Sequence, residues 1–162
     1  MAVLDFNRYM HVGVIVNSVE ETLKKMGKVY TLSDVRISPF PPEGTPKSEV
    51  QLMYKGQKTD FSAIFCFLKM GNSELELIEP VSGDSIWFDF LKEKGEGIHH
   101  LKFEVDSFND TIKAFKEIGV ECMQYGSAVG PNKGKTWGYF DTTEELGYVC
   151  EVLNTQIGEI IE

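Results

Sequence analysis

The sequence predicts an α+β fold of two tandem βαβββ modules, the first over about residues 8–82 and the second over about residues 96–155. Three features carry this reading. Each half opens on a β-branched, histidine-bearing run, MHVGVIV and then IHHLKFEVD. Each run is followed by a serine and an apolar pattern at helical spacing. Each half closes on an apolar, glutamate-bearing run, ELELIEP and then YVCEVLN. A strand, a helix and three strands therefore occur twice, and internal duplication is the economical explanation.

Taken in order, MHVGVIV reads as a strand ended by Asn17 and Ser18. Ser18 with Glu21 forms a capping-box pattern, and Val19, Leu23, Met26 and Tyr30 mark one helix face that Gly27 weakens. Residues 31–56 hold Pro39, Pro41, Pro42 and Pro46, which predicts irregular chain around short strands. FSAIFCFLKM, the turn GNS and ELELIEP read as a hairpin, followed by a short helix over 85–94 with Ile86, Phe90 and Leu91 inward. In the second half, Ser107 caps a helix whose Phe108, Ile112, Phe115 and Ile118 recur at helical spacing until Gly119. VECMQYG, the loop GPNKGK, TWGYFDT and GYVCEVLN follow as strands joined by short connections, which favours antiparallel neighbours. GPNKGK runs into a strand rather than a helix, so it is not read as a phosphate-cradling loop.

Composition narrows the function. At 162 residues, 42% hydrophobic and 25% charged, the chain suits one globular domain or two small modules with a shared core. A net charge of -9 argues against a sequence-independent grip on nucleic acid and disfavours an acidic membrane, since both need clustered Lys and Arg. No apolar run is long enough to span a bilayer, and the start lacks the basic region and cleavage site of a signal peptide, which predicts a cytoplasmic protein. Cys66, Cys122 and Cys150 are odd in number and widely spaced, as expected of reduced, mostly buried thiols.

The candidate chemistry lies in the paired strands. His11 with Glu76, and His100 with Glu151, stand at matching places in the two halves. The first interval is longer, and its excess corresponds to the proline-rich stretch. Two imidazoles and two carboxylates, joined by pseudo-twofold packing, form an N2O2 set suited to one divalent ion, with zinc, nickel, cobalt or manganese as candidates. Each residue alone also fits a structural role, but Glu76 and Glu151 sit in apolar strands where an unpaired carboxylate is costly to bury. Glu74 shares a face with Glu76, so one is ligand and the other rim. His99 and His100 should face oppositely, which makes His100 the ligand and His99 structural or in contact with a ligand. Lys102 and Glu104 share His100's parity and fall along the same cleft or on an exposed rim. Trp87, Trp137, Tyr139 and Phe140 read more readily as core than as substrate wall.

GEGIHHLKFEVDSFNDTIKAFKEIGVE and WGYFDTTEELGYVCEVLN resemble the second module of vicinal-oxygen-chelate proteins, in particular methylmalonyl-CoA epimerases and glyoxalase-I relatives. HVGVIVNSVEE and SELELIEPVSGDS resemble the first. The resemblance implies a glyoxalase-like fold, a curved mixed sheet around a metal cleft, with His11, Glu76, His100 and Glu151 as metal ligands and a homodimer as the assembly. It further implies proton movement beside a carbonyl, in an acyl-CoA thioester for an epimerase-like enzyme or a glutathione hemithioacetal for a lactoylglutathione-lyase-like one. Glu76 and Glu151 are then the candidate bases, and a separate epimerase base would fall near Glu49 or Gln51. An extradiol-type oxygenase fits less well, because its three-ligand site leaves open positions that a fourth protein ligand fills. A non-catalytic small-molecule binder is the alternative from another class.

Overall fold

In a computed structural model, residues 2–159 are described. Strand β1 (Tyr9–Ile15) leads into α1 (Val19–Met26), and β2 (Arg36–Phe40), β3 (Leu52–Tyr54) and β4 (Gln57–Lys58) follow. The long hairpin of β5 (Ser62–Met70) and β6 (Ser73–Ser82) completes the first half, and α2 (Ile86–Lys94) leads to the second. There, β7 (Gly97–Val105), α3 (Phe108–Glu117), β8 (Cys122–Ser127), β9 (Thr136–Phe140), α4 (Thr143–Leu146) and β10 (Val149–Asn154) succeed one another.

All ten described strands form one curled, mixed half-barrel sheet in the order β2-β5-β6-β1-β7-β10-β9-β8-β3-β4. Its centre is a pseudo-twofold: β1 and β7 pair antiparallel, β6 runs parallel to β1, and β10 runs parallel to β7. Gly13 pairs with Glu76 on one side of the axis, and Lys102 pairs with Glu151 at the equivalent place on the other.

The period of two along these strands separates two faces. Leu77, Cys150 and Val152 belong to the face that packs the helices, while Glu76 and Glu151, one residue away, belong to the other. Under α1, Val19 meets Val16, Leu68 and Leu77; under α3, Phe108 and Phe115 meet Phe103, Phe140 and Val152. Both helices start on serine caps, with Ser18 Oγ accepting from Glu21 N and Ser107 Oγ from Asp110 N. A remote carboxylate completes each end: the Val19 N–H donates to Glu79, and the Phe108 and Asn109 N–H groups donate to Glu159. This placement also suits the helix dipole. The Glu21 side chain bonds Lys24 within α1, at 2.9 Å.

Three details differ from the sequence reading. Helix α1 stops at Met26, after which the bonds tighten into turns, Lys28 N–H to Lys25 O and Val29 N–H to Met26 O, leaving Tyr30 61% exposed and off the buried face. Ile118 is the residue after the last turn of α3 and is likewise exposed. The β3–β4 hairpin lies in the first half of the sequence, yet β3 pairs with β8 and so extends the second half of the sheet. Among the described residues no helix is long and apolar enough to cross a membrane. Cys66, Cys122 and Cys150 are free thiols, and burial pushes Cys122 up to about 12.

Candidate metal centre

Each histidine of the pair follows a bulge. On β1 the register shifts between Tyr9 and His11, leaving Met10 as the extra residue; on β7 it shifts opposite Gly13 and Val14, leaving His99 as the extra one. A bulge bends the strand and re-aims the neighbouring side chain. The two bulges are related by the pseudo-twofold and turn His11 and His100 toward one another, with ring centroids 5.7 Å apart. Room for His100 comes from Gly13, since a Cβ there would lie 1.8 Å from His100 Cε1.

Glu76 and Glu151 reach the same point from β6 and β10. One donor atom from each of His11, Glu76, His100 and Glu151 lies within 4.8 Å of the others, and all four residues are buried. His100 Nε2 is 3.2 Å from Glu76 Oε2 and 3.0 Å from Glu151 Oε2; His11 Nε2 is 3.2 Å and 3.6 Å from the same two atoms. Proximity does not satisfy them all. His11 Nε2 and Glu151 Oε2 are buried polar atoms without a hydrogen-bond partner, an arrangement that costs free energy unless another group completes it. A divalent cation fits this donor set, with its two nitrogens, two anionic oxygens and converging lone pairs.

The electrostatics match. Burial disfavours the charge on His11, but Glu76 and Glu151 override it and hold the imidazole up at about 9. Burial likewise opposes ionisation of Glu76, and His11 and His100 bring it down to about 2. Glu151 is held well below the usual range against its burial, chiefly by Lys102 and His100. Lys102 Nζ lies 2.9 Å from Glu151 Oε1, so the two oxygens of that carboxylate face different partners.

The centre opens on a cavity of about 450 Å³. Phe40, Phe65, Phe67, Trp87, Trp137 and Tyr139 wall it, and Glu76, Glu151 and Lys102 stand at its polar end. At the rim, Glu74 pairs with Arg36.

A model of the glyoxalase/bleomycin resistance protein/dioxygenase superfamily matches residues 10–139. The chain belongs to this superfamily. It is 26% identical over 146 residues to the Bacillus subtilis (strain 168) protein YqjC, a match spanning 90% of this chain and 91% of that one. It is 34% identical over 65 residues to the mitochondrial methylmalonyl-CoA epimerase of Bos taurus, which amounts to 40% of this chain and 37% of the epimerase. The crystal structure of methylmalonyl-CoA epimerase from Mycobacterium tuberculosis has the same fold, with a TM-score of 0.60 at 15% identity over 96% of this chain and 93% of that one.

This superfamily member draws the whole four-residue cluster from a single chain. His99 is outside the cluster, but its expected position on the opposite face needs correction. The bulge breaks strict alternation, so both histidine rings are buried, both contact Tyr139, and their Nδ1 atoms lie 3.0 Å apart. Burial, then the neighbouring His100, push His99 down to about 3, leaving it a neutral partner for His100 Nδ1. Trp87, Trp137 and Tyr139 are core and cavity wall at once, whereas Phe140 packs only with the α3 cluster. Glu104 turns to Arg8, 3.1 Å away. Glu49 pairs with Lys133 at 2.8 Å, and neither it nor Gln51 lines the cavity. The Lys102–Glu151 pair escaped the sequence reading although its signal was present, in the period of two that joins Lys102 to His100.

Proposed function

We propose that the protein is a divalent-metal-dependent enzyme that moves a proton on the carbon next to a carbonyl, with an epimerase-like reaction on an acyl-CoA thioester as the first reading. The observation that carries it is the buried cluster of His11, Glu76, His100 and Glu151, two of whose donor atoms have no hydrogen-bond partner, at the end of a substrate-sized cavity. The partial likeness to methylmalonyl-CoA epimerases supports the choice of substrate.

His11, Glu76, His100 and Glu151 would hold the ion, which supplies Lewis-acid stabilisation of charge developing on a substrate oxygen. The His99 imidazole fixes the orientation of His100 through the Nδ1 contact. The aromatic walls exclude water from the polar end and so strengthen its electrostatics. Proton transfer falls to a carboxylate. Glu151 is restrained by Lys102 through Oε1, so Glu76 is the better placed of the two to take a proton from the substrate carbon and return it.

A second reading follows from the position of Glu49. With Glu49 turned to Lys133 and off the cavity wall, the proton carrier comes from the ligand set itself, the arrangement expected of a glyoxalase-I relative acting on a glutathione hemithioacetal. Exchange of the substrate α-proton with deuterated water, followed by NMR for methylmalonyl-CoA and for the methylglyoxal–glutathione hemithioacetal, tests both. Exchange with the thioester supports the first reading and exchange with the hemithioacetal the second. Exchange with neither, at full metal occupancy, removes both and leaves a small-molecule binder.

A further inference from the structure

The charged residues lining the cavity are Arg36, Glu74, Glu76, Lys102 and Glu151. Arg36 and Glu74 pair with each other at the rim and cancel. That leaves two carboxylates and one ammonium at the polar end. A divalent ion held by the cluster would neutralise the carboxylates, and Lys102 would then be a surplus positive charge in a largely buried place. Its ammonium has three donors, one of which faces Glu151 Oε1 at 2.9 Å. The pseudo-twofold counterpart of Lys102 is Gly13, so the cation is a feature of one half and not a requirement of the duplicated metal cluster. A buried cation of this kind is matched by an anionic ligand group.

The rest of the cavity is apolar and wide. Aromatic rings from β2, β5, β9 and α2 form its walls, and about 450 Å³ is roughly three times the size of an apolar cavity that holds a benzene molecule. The acyl group itself takes the polar end of this space, and a methyl substituent would make few contacts with the aromatic walls beyond it.

We infer that the substrate is a monoanionic malonyl-type acyl group bearing a bulky apolar or aromatic substituent in place of a methyl, with its carboxylate on Lys102 and the substituent between Phe40, Phe65, Phe67, Trp87 and Trp137. The inference deepens the thioester reading and rests on it for the carbonyl that faces the metal cluster. It assigns Lys102 as a specificity-determining residue.

Calorimetric titration of the zinc-loaded protein with the monoethyl esters of phenylmalonic and methylmalonic acid, and with neutral diethyl phenylmalonate, tests it. The phenyl monoester should bind about tenfold or more tightly than the methyl one, because the ring buries far more apolar surface. It should also outbind the neutral diester by about tenfold, the value of a charge-assisted contact. Lys102→Met should remove the preference for the monoanion while keeping that for phenyl, and Lys102→Arg should restore the former. Equal or stronger binding of the methyl monoester, or a Lys102→Met protein that still prefers the monoanion, would overturn the proposal. Zinc content measured on each sample tells this failure from that of the metal reading. In a chain that takes up no zinc, the ring preference is still read from the aromatic walls, whereas loss of the monoanion preference there marks failure of the metal reading, because Glu76 and Glu151 then outweigh Lys102.

Discussion

Gly13 lies directly across the β1–β7 pair from His100, and the space its missing side chain leaves is filled by the His100 ring. The strand therefore carries a glycine for a steric reason: a methyl group would stand 1.8 Å from Cε1. Gly13→Ala should push the ring out of the cluster, lower thermal stability by about 1–3 kcal/mol as overpacking does, and reduce zinc content. Calorimetry and elemental analysis check both effects. An alanine variant with undiminished zinc would show that His100 is not held there by Gly13.

His99 and His100 should separate in a metal-binding assay. His100→Ala deletes a donor, whereas His99→Ala removes only the group against its Nδ1, an outer contact whose loss typically costs about 10–100-fold in affinity. Competition with a fluorescent zinc chelator ranks them. Equal loss in both variants would mean that His99 itself provides a donor.

Acidity offers a third check on the metal-free protein. Protonated His11 is stabilised in the fold, its pKa standing at about 9 against an ordinary 6.5, so its contribution is complete below pH 6.5 and fades as pH rises through 9. His99 acts in the opposite sense: folding holds it neutral down to about pH 3, so its contribution is complete above 6.5 and fades as pH falls. Ionised Glu76 adds stability above 4.5 that is lost toward about 2. Melting temperature should therefore peak near pH 6.5. With zinc bound, the alkaline fall should disappear, because the metal requires the neutral imidazole. A melting temperature that climbs steadily to pH 9 without metal would contradict the charge arrangement described for His11.

Much of this fold is legible in the chain because local pattern and tertiary packing agree. The alternation in ELELIEP and YVCEVLN places Leu77, Cys150 and Val152 under the helices and Glu76 and Glu151 on the other face, as a period of two dictates. The ends of α1 and α3 were harder to place, since Tyr30 and Ile118 continue the helical spacing after the backbone has turned away. The pairing of β3 with β8 depends on contacts between distant segments that no local pattern records. The same holds for the bulges at Met10 and His99, which invalidate simple parity at the very residues where parity was used. The four-residue cluster was legible through the repeat of histidine and glutamate. Parity placed Lys102 along the cleft or on its rim, but its pairing with Glu151 was not legible, because Lys102 has no counterpart in the first half and so breaks the repeat.

Metal stoichiometry in the single alanine variants of His11, Glu76, His100 and Glu151 tests the central claim most directly. Elemental analysis, with circular dichroism to show that each variant is folded, should find one divalent ion per wild-type chain and a marked loss in every variant. Full metal occupancy in both folded Glu76→Ala and Glu151→Ala proteins would contradict a centre built from the two halves of the chain.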